Sequence, residues 1–163
     1  MKGIVAYDSY YGNTKKVAEA LVEEIRSVGH EAELRSVRED YPSPPQGDFL
    51  FLGSPVRMGS VTGRTKRFVK HLDKSVWKDR PVAVFTTVGR RPEGEVTEKQ
   101  RASYEKWALN AAPKLRDKAK DLGLNVVDKV LAVEVKDSKG PLVDNGVEQT
   151  KQFAREFLQA MKK

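Results

Sequence analysis

The sequence predicts an α/β fold, a three-layer α/β/α domain on a five-stranded parallel sheet with strand order 2-1-3-4-5. Two observations lead there. Apolar runs alternate with amphipathic stretches along the whole chain, and the runs are continuous rather than alternating, as strands covered on both faces require. At 163 residues the chain suits one domain spanning 1–163, long enough for a full core and too short for two of ordinary size. Right-handed crossovers leave few topologies, and the order 2-1-3-4-5 suits a small chain whose first loop can hold an anion.

Gly3 to Tyr7 reads as a buried strand. Val17, Leu21 and Ile25, with Ala18 and Val22, form a stripe at helical spacing that ends near Gly29. Ala32 to Val37 alternates like an edge strand, and the prolines within 41–45 mark a loop. Phe49 to Leu52 is a third strand ending at Gly53, followed by a helix from Thr65 to Leu72 with Phe68, Val69 and Leu72 inward. Pro81 to Thr86 is the fourth strand. A helical region from about Thr97 to Leu122 must kink or break at Pro113. Val126 to Val135 supplies the fifth strand, and Val147 to Met161 the last helix.

Composition narrows the function classes. There is no cysteine, which excludes disulfides, thiolate chemistry and sulfur-ligated metals, so a redox role requires a bound cofactor. No apolar run reaches membrane-spanning length, and Asp8 follows the first strand too soon for a signal peptide, so a cytoplasmic location is expected. The net charge is +7. Lys and Arg are interleaved with Glu and Asp, as in EKQRASYEKW, which disfavours nucleic acid as a partner. His30 and His71 are isolated and suit solvated or capping roles. Asp8 ends the first strand, but the third ends in Gly53 rather than an acid, which rejects a Mg²⁺-dependent phosphoacceptor site. No metal ligand and no catalytic side chain is assigned.

The most informative segment is IVAYDSYYGNTKKVAEAL, residues 4–21, where a strand passes through Ser9-Tyr10-Tyr11-Gly12-Asn13-Thr14 into a helix. Gly12 permits a sharp bend, and the first amides of a helix converge on one point with the positive end of its dipole. Such a turn suits a phosphate without a cationic side chain. The spacing fits neither a Walker loop nor the three-glycine dinucleotide fingerprint. As read from these residues alone, an ordinary capped turn remains the alternative.

This loop resembles the first loop of the flavodoxin family, Ser/Thr-x-x-Gly-Asn-Thr, which holds the phosphate of FMN. The segment Gly53-Ser54-Pro55-Val56-Arg57-Met58-Gly59, continuing through Gly63 to Phe68, is similar to the family's second flavin loop, and Thr86-Thr87-Val88-Gly89 to its third. Lys139-Gly140-Pro141-Leu142 also looks like this family. The resemblance implies a flavodoxin-like fold, FMN as cofactor, and a site built from these three loops. It also implies that the peptide at Met58 and Gly59 lies near flavin N5, where it would favour single-electron traffic. The family's aromatic sandwich is missing from the second and third loops, which offer Val56, Arg57 and Met58, then Val88, Gly89, Arg90 and Arg91. A neighbouring subunit in a homo-oligomer is one source of a covering face. Trp77 and Trp107 read as packing residues.

Three functions follow from this reading. The first is FMN-dependent electron transfer between redox proteins, favoured by short loops and no acid–base pair. The second is an FMN-dependent NAD(P)H:quinone-type oxidoreductase, favoured by the Arg-Met-Gly loop and a rim of Arg57, Arg64, Arg90 and Arg91. The third is a flavin-free interaction module on the same fold. Positive charge at the rim favours an acidic protein or NAD(P)H as partner and a less reducing flavin. Each exposed charge at about 10 Å in water contributes only about 0.4 kcal/mol.

Overall fold

The computed structural model describes residues 1–39 and 46–162; the loop expected at 41–45 lies outside them. Five strands run parallel: β1 (Lys2–Tyr7), β2 (Glu31–Ser36), β3 (Phe49–Arg57), β5 (Val82–Val88) and β6 (Leu131–Glu134). Their spatial order, β2-β1-β3-β5-β6, is the expected 2-1-3-4-5. A short β4 (Ser60–Val61) pairs antiparallel with the end of β3.

Alternation along each strand divides the apolar residues between two cores. Val5 and Tyr7, Phe49 and Phe51, and Ala83 and Phe85 face one side, against α1 (Asn13–Ser27) and α6 (Gly146–Met161). Ile4 and Ala6, Leu50 and Leu52, and Val82 and Val84 face the other, against α2 (Gly63–His71), α3 (Lys74–Trp77) and α5 (Ala111–Asp121). The first core centres on an aromatic group in which Phe51 and Phe157 have ring centroids 4.7 Å apart. Trp77 is fully buried in the second. Two-sided burial is why these strands read as unbroken apolar runs.

Four boundaries differ from expectation. The strand from Phe49 does not stop at Gly53. It continues to Arg57 because β5 and β4 supply partners beyond that point. Gly53 sits mid-strand under the Phe85 ring, where an added Cβ would lie 2.0 Å from ring carbon Cε2. The following helix begins at Gly63, capped by the Thr62 hydroxyl, which accepts the Thr65 N–H at 3.3 Å. The long helical region divides into α4 (Glu98–Tyr104), a π-helical turn at Glu105–Leu109 and α5. Pro113 has no N–H to return to residue 109, and the chain widens into the π turn just before it, with the Asn110 N–H bonded to the Glu105 carbonyl at 2.9 Å. The last strand is shorter than Val126 to Val135. Val126 makes only an isolated bridge to Val82, and regular pairing begins at Leu131.

Candidate functional site

The chain passes from β1 to β2 on one side and then crosses back to β3 on the other, so the order reverses at β1 and the carboxyl ends of β1, β3 and β5 frame the crevice where ligands of open α/β sheets sit. Here the three sequence-distant loops meet around a cleft of about 350 Å³. The first loop contributes Ser9, Tyr10, Tyr11, Asn13 and Thr14, the second Pro55, Val56, Arg57 and Met58, and the third Thr87, Val88 and Gly89. The buried hydroxyls of Thr14 and Thr87 share a 2.7 Å hydrogen bond that ties the first loop to the third.

The first loop is braced from within. Gly12, at φ 89°, is the N-cap of α1, and its N–H donates to the Ser9 hydroxyl at 3.0 Å. No side chain caps α1, and its first turn carries no acid. The first-turn amides of a 15-residue helix are thus free of a side-chain acceptor, and Asn13 and Thr14 at its start are buried beside the cleft. This donor set fits the phosphate of FMN. The apolar walls at Pro55, Val56, Met58 and Val88 fit a flat heteroaromatic ring.

Four expected site residues do not line the cleft. Gly12 forms the bend itself. Ser54 and Thr86 point to the opposite face of the sheet from their neighbours Pro55 and Thr87, as strand alternation dictates. Ser54 Oγ accepts the Thr62 N–H at 3.0 Å and donates to the Pro55 carbonyl at 2.9 Å, bracing the second loop. Thr86 is fully buried, and its hydroxyl has no partner among the described residues. Gly59 lies beneath the Trp107 ring, where a Cβ would sit 2.5 Å from ring carbon Cε3. Trp107, 53% exposed, thus packs on the second loop, whereas Trp77 is core.

Three features were not anticipated. Val135 and Ser138, beyond β6, add a fourth wall. Their signal in the sequence was the neighbouring Lys139-Gly140-Pro141-Leu142, and Gly140 approaches Asn13 so closely that a Cβ would meet its Oδ1 at 2.3 Å. Tyr104 donates its hydroxyl to the Gly89 carbonyl at 2.8 Å, anchoring the third loop. Burial and the nearby Glu134 push the Tyr104 phenol up to about 12, with Arg91 opposing. The guanidinium groups of Arg38 and Arg57 both lie over the Tyr10 ring, at 4.6 and 4.3 Å from its centroid. Arg38 also donates to the fully buried Asp8 at 2.8 Å.

The expected basic rim is partly compensated. Arg57 stacks on Tyr10 and Arg90 pairs with Glu93, while Arg91 reaches Glu134 through its backbone N–H at 2.7 Å. Neither histidine lines the cleft. Among the described residues no cluster of three or more His, Asp or Glu is placed to hold a metal, and no helix is long and apolar enough to cross a membrane.

A flavodoxin domain family model matches residues 4–131. A flavodoxin of Aquifex aeolicus is 40% identical over 78 residues, covering 47% of this chain and 42% of that protein. The flavodoxin-like domain-containing protein BilS of Clostridioides difficile is 31% identical over 97 residues, covering 58% of this chain and 51% of its own length. The chain thus spans about half the length of these two relatives. A solved archaeal flavodoxin superposes over 100% of both chains with TM-score 0.75 at 21% identity, a likeness of fold. With the family match extending over most of the chain, this protein belongs to the flavodoxin family.

Proposed function

We propose that this chain binds FMN in the three-loop cleft and carries electrons between redox proteins. The observation that supports it best is the junction of Thr14 with Thr87 beside an uncapped helix N-terminus, which brings an anion site and a flat apolar slot into one crevice. The α1 amides would hold the phosphate by main-chain donation and the helix dipole. Pro55, Val56, Met58 and Val88 would exclude water from the ring, with Tyr10 held at the mouth by its two arginines. When bound, FMN supplies the redox chemistry that this cysteine-free chain lacks. The protein contributes position and electrostatics.

Titration with FMN and with riboflavin, which lacks the phosphate, tests this. Saturable FMN binding with riboflavin weaker by about a hundredfold or more supports the site, since charge-assisted hydrogen bonds contribute about 1.5–3 kcal/mol each. Equal affinity, or no binding of either, contradicts it.

Direct reduction by NAD(P)H is the second reading. A polar hollow of about 470 Å³ beside the third loop favours it, lined by Arg91, Arg101 and Tyr104 among others. Rapid anaerobic bleaching of the FMN-loaded protein by NADPH alone selects this reading, and no bleaching selects the carrier.

A further inference from the structure

One cluster of positive charge lies on the far side of the second loop from the cleft. Helix α2 carries Arg64, Lys66, Arg67 and Lys70 and no acid. On α5, Lys114 and Lys118 stand four residues apart on one exposed face, a like-charge spacing that disfavours a helix. Among the described residues, none of Lys66, Lys106, Lys114 and Lys118 forms an ion pair, and the intervening Asp117 is held by Arg116 at 2.9 Å.

These lysines surround apolar surface. Lys66, Lys114 and Lys118 edge a hollow of about 190 Å³ floored by Val61, Ala111 and Leu115 and bounded by Gly59 and Ser60. Beside it stands Trp107, with the Lys106 ammonium 5.4 Å from its ring centroid, and at the hairpin tip is Met58, 93% exposed. Met58 also lines the cleft, so this surface is continuous with the proposed flavin edge. An aromatic and a methionine ringed by cations have the anatomy of a protein–protein contact, apolar at the centre and charged at the rim. A nucleic acid backbone would match the lysines but leave Met58 without a use.

We infer that Met58, Trp107, Lys66, Lys106, Lys114 and Lys118 form the docking face for an acidic one-electron redox protein. This rests on the FMN reading above and places that partner on one named surface. One electron would leave the partner's reduced centre, which is oxidised, and enter the flavin, which is reduced. No covalent bond forms or breaks in the chain.

The test uses the FMN-loaded full chain and, as probe, an oxidised acidic plant-type [2Fe–2S] ferredoxin in calorimetric titration at about 50 and 300 mM salt. The expected result is binding that weakens with salt and falls about tenfold or more in Lys114→Glu/Lys118→Glu. The control Lys74→Glu/Lys78→Glu, with the same change of net charge at the start and C-cap of α3, should shift binding less than about threefold, because exposed charges away from the contact are screened. FMN affinity should be unchanged in both. Equal weakening by the two variants, indifference to salt, or no ferredoxin binding overturns the inference. So does duplex DNA that binds more tightly than the ferredoxin and is released by the α5 variant. A chain that fails to bind FMN defeats the flavin reading instead. The same lysine dependence of ferredoxin binding in that flavin-free chain would still support the docking face.

Discussion

The side chains of Thr14 and Thr87 hydrogen-bond the first loop to the third, and their burial makes the bond testable. Thr87→Val leaves the Thr14 hydroxyl buried without its partner, and the reverse holds for Thr14→Val. Each single variant should lose about 1–3 kcal/mol in urea denaturation, with the double variant costing less than the sum. Strict additivity would mean that the hydroxyls do not couple. Tyr104 makes a pH prediction. Its folded value of about 12 exceeds the ordinary 10.0, so the folded chain holds this proton more tightly. The resulting stability is full below pH 10 and is lost as pH rises through 12. Alkaline denaturation should therefore be shallower in Tyr104→Phe, and phenolate absorbance should show one late-titrating tyrosine only in the unaltered chain. Thr87 and Tyr104 differ in what the sequence reveals. Thr87 stood in a recognisable loop, whereas Tyr104 reaches Gly89 from a helix 15 residues later, a tertiary contact that no local pattern encodes.

At the scale of elements, the hairpin joining β3 to β4 is the least expected and the most strained. Arg57 pairs with Ser60, so Met58 and Gly59 form a two-residue loop, with φ 51° and 80°. Both positive angles identify a type I′ turn, which favours Asn-Gly. A methionine there costs about 1–2 kcal/mol. Met58→Asn should raise stability by about 1 kcal/mol in thermal or urea unfolding of the flavin-free chain, and a loss of stability would refute the turn assignment. Gly59→Ala should destabilise by about 1–3 kcal/mol, because its methyl meets the Trp107 ring and the backbone angle disfavours a side chain. Trp107→Ala should relieve only the steric part. The run of Phe49 to Leu52 announced β3, but a Gly-Ser-Pro continuation looks like loop until the β5 and β4 partners are in place. Likewise Pro113 signalled an interruption, while the π turn absorbing it lies upstream.

Over the whole molecule, sheet order and the two-sided core were readable because period-two and 3.6-residue patterns are dictated by burial alone. Charge was less readable. The net +7 says nothing of which cations are spent. Arg90 and Arg57, taken from sequence as a basic rim, are engaged by Glu93 and Tyr10, whereas Lys114 and Lys118 are left over on α5. The cleft depends on loops after β1, β3 and β5 acting as one unit, and mapping backbone amide resonances during FMN addition measures that most directly. The largest shifts should fall together on Tyr10 to Lys15, Val56 to Gly59 and Thr87 to Gly89, saturating with one affinity. Shifts confined to one loop, or centred on the apolar hollow at Phe153 and Phe157, would contradict a common three-loop FMN site.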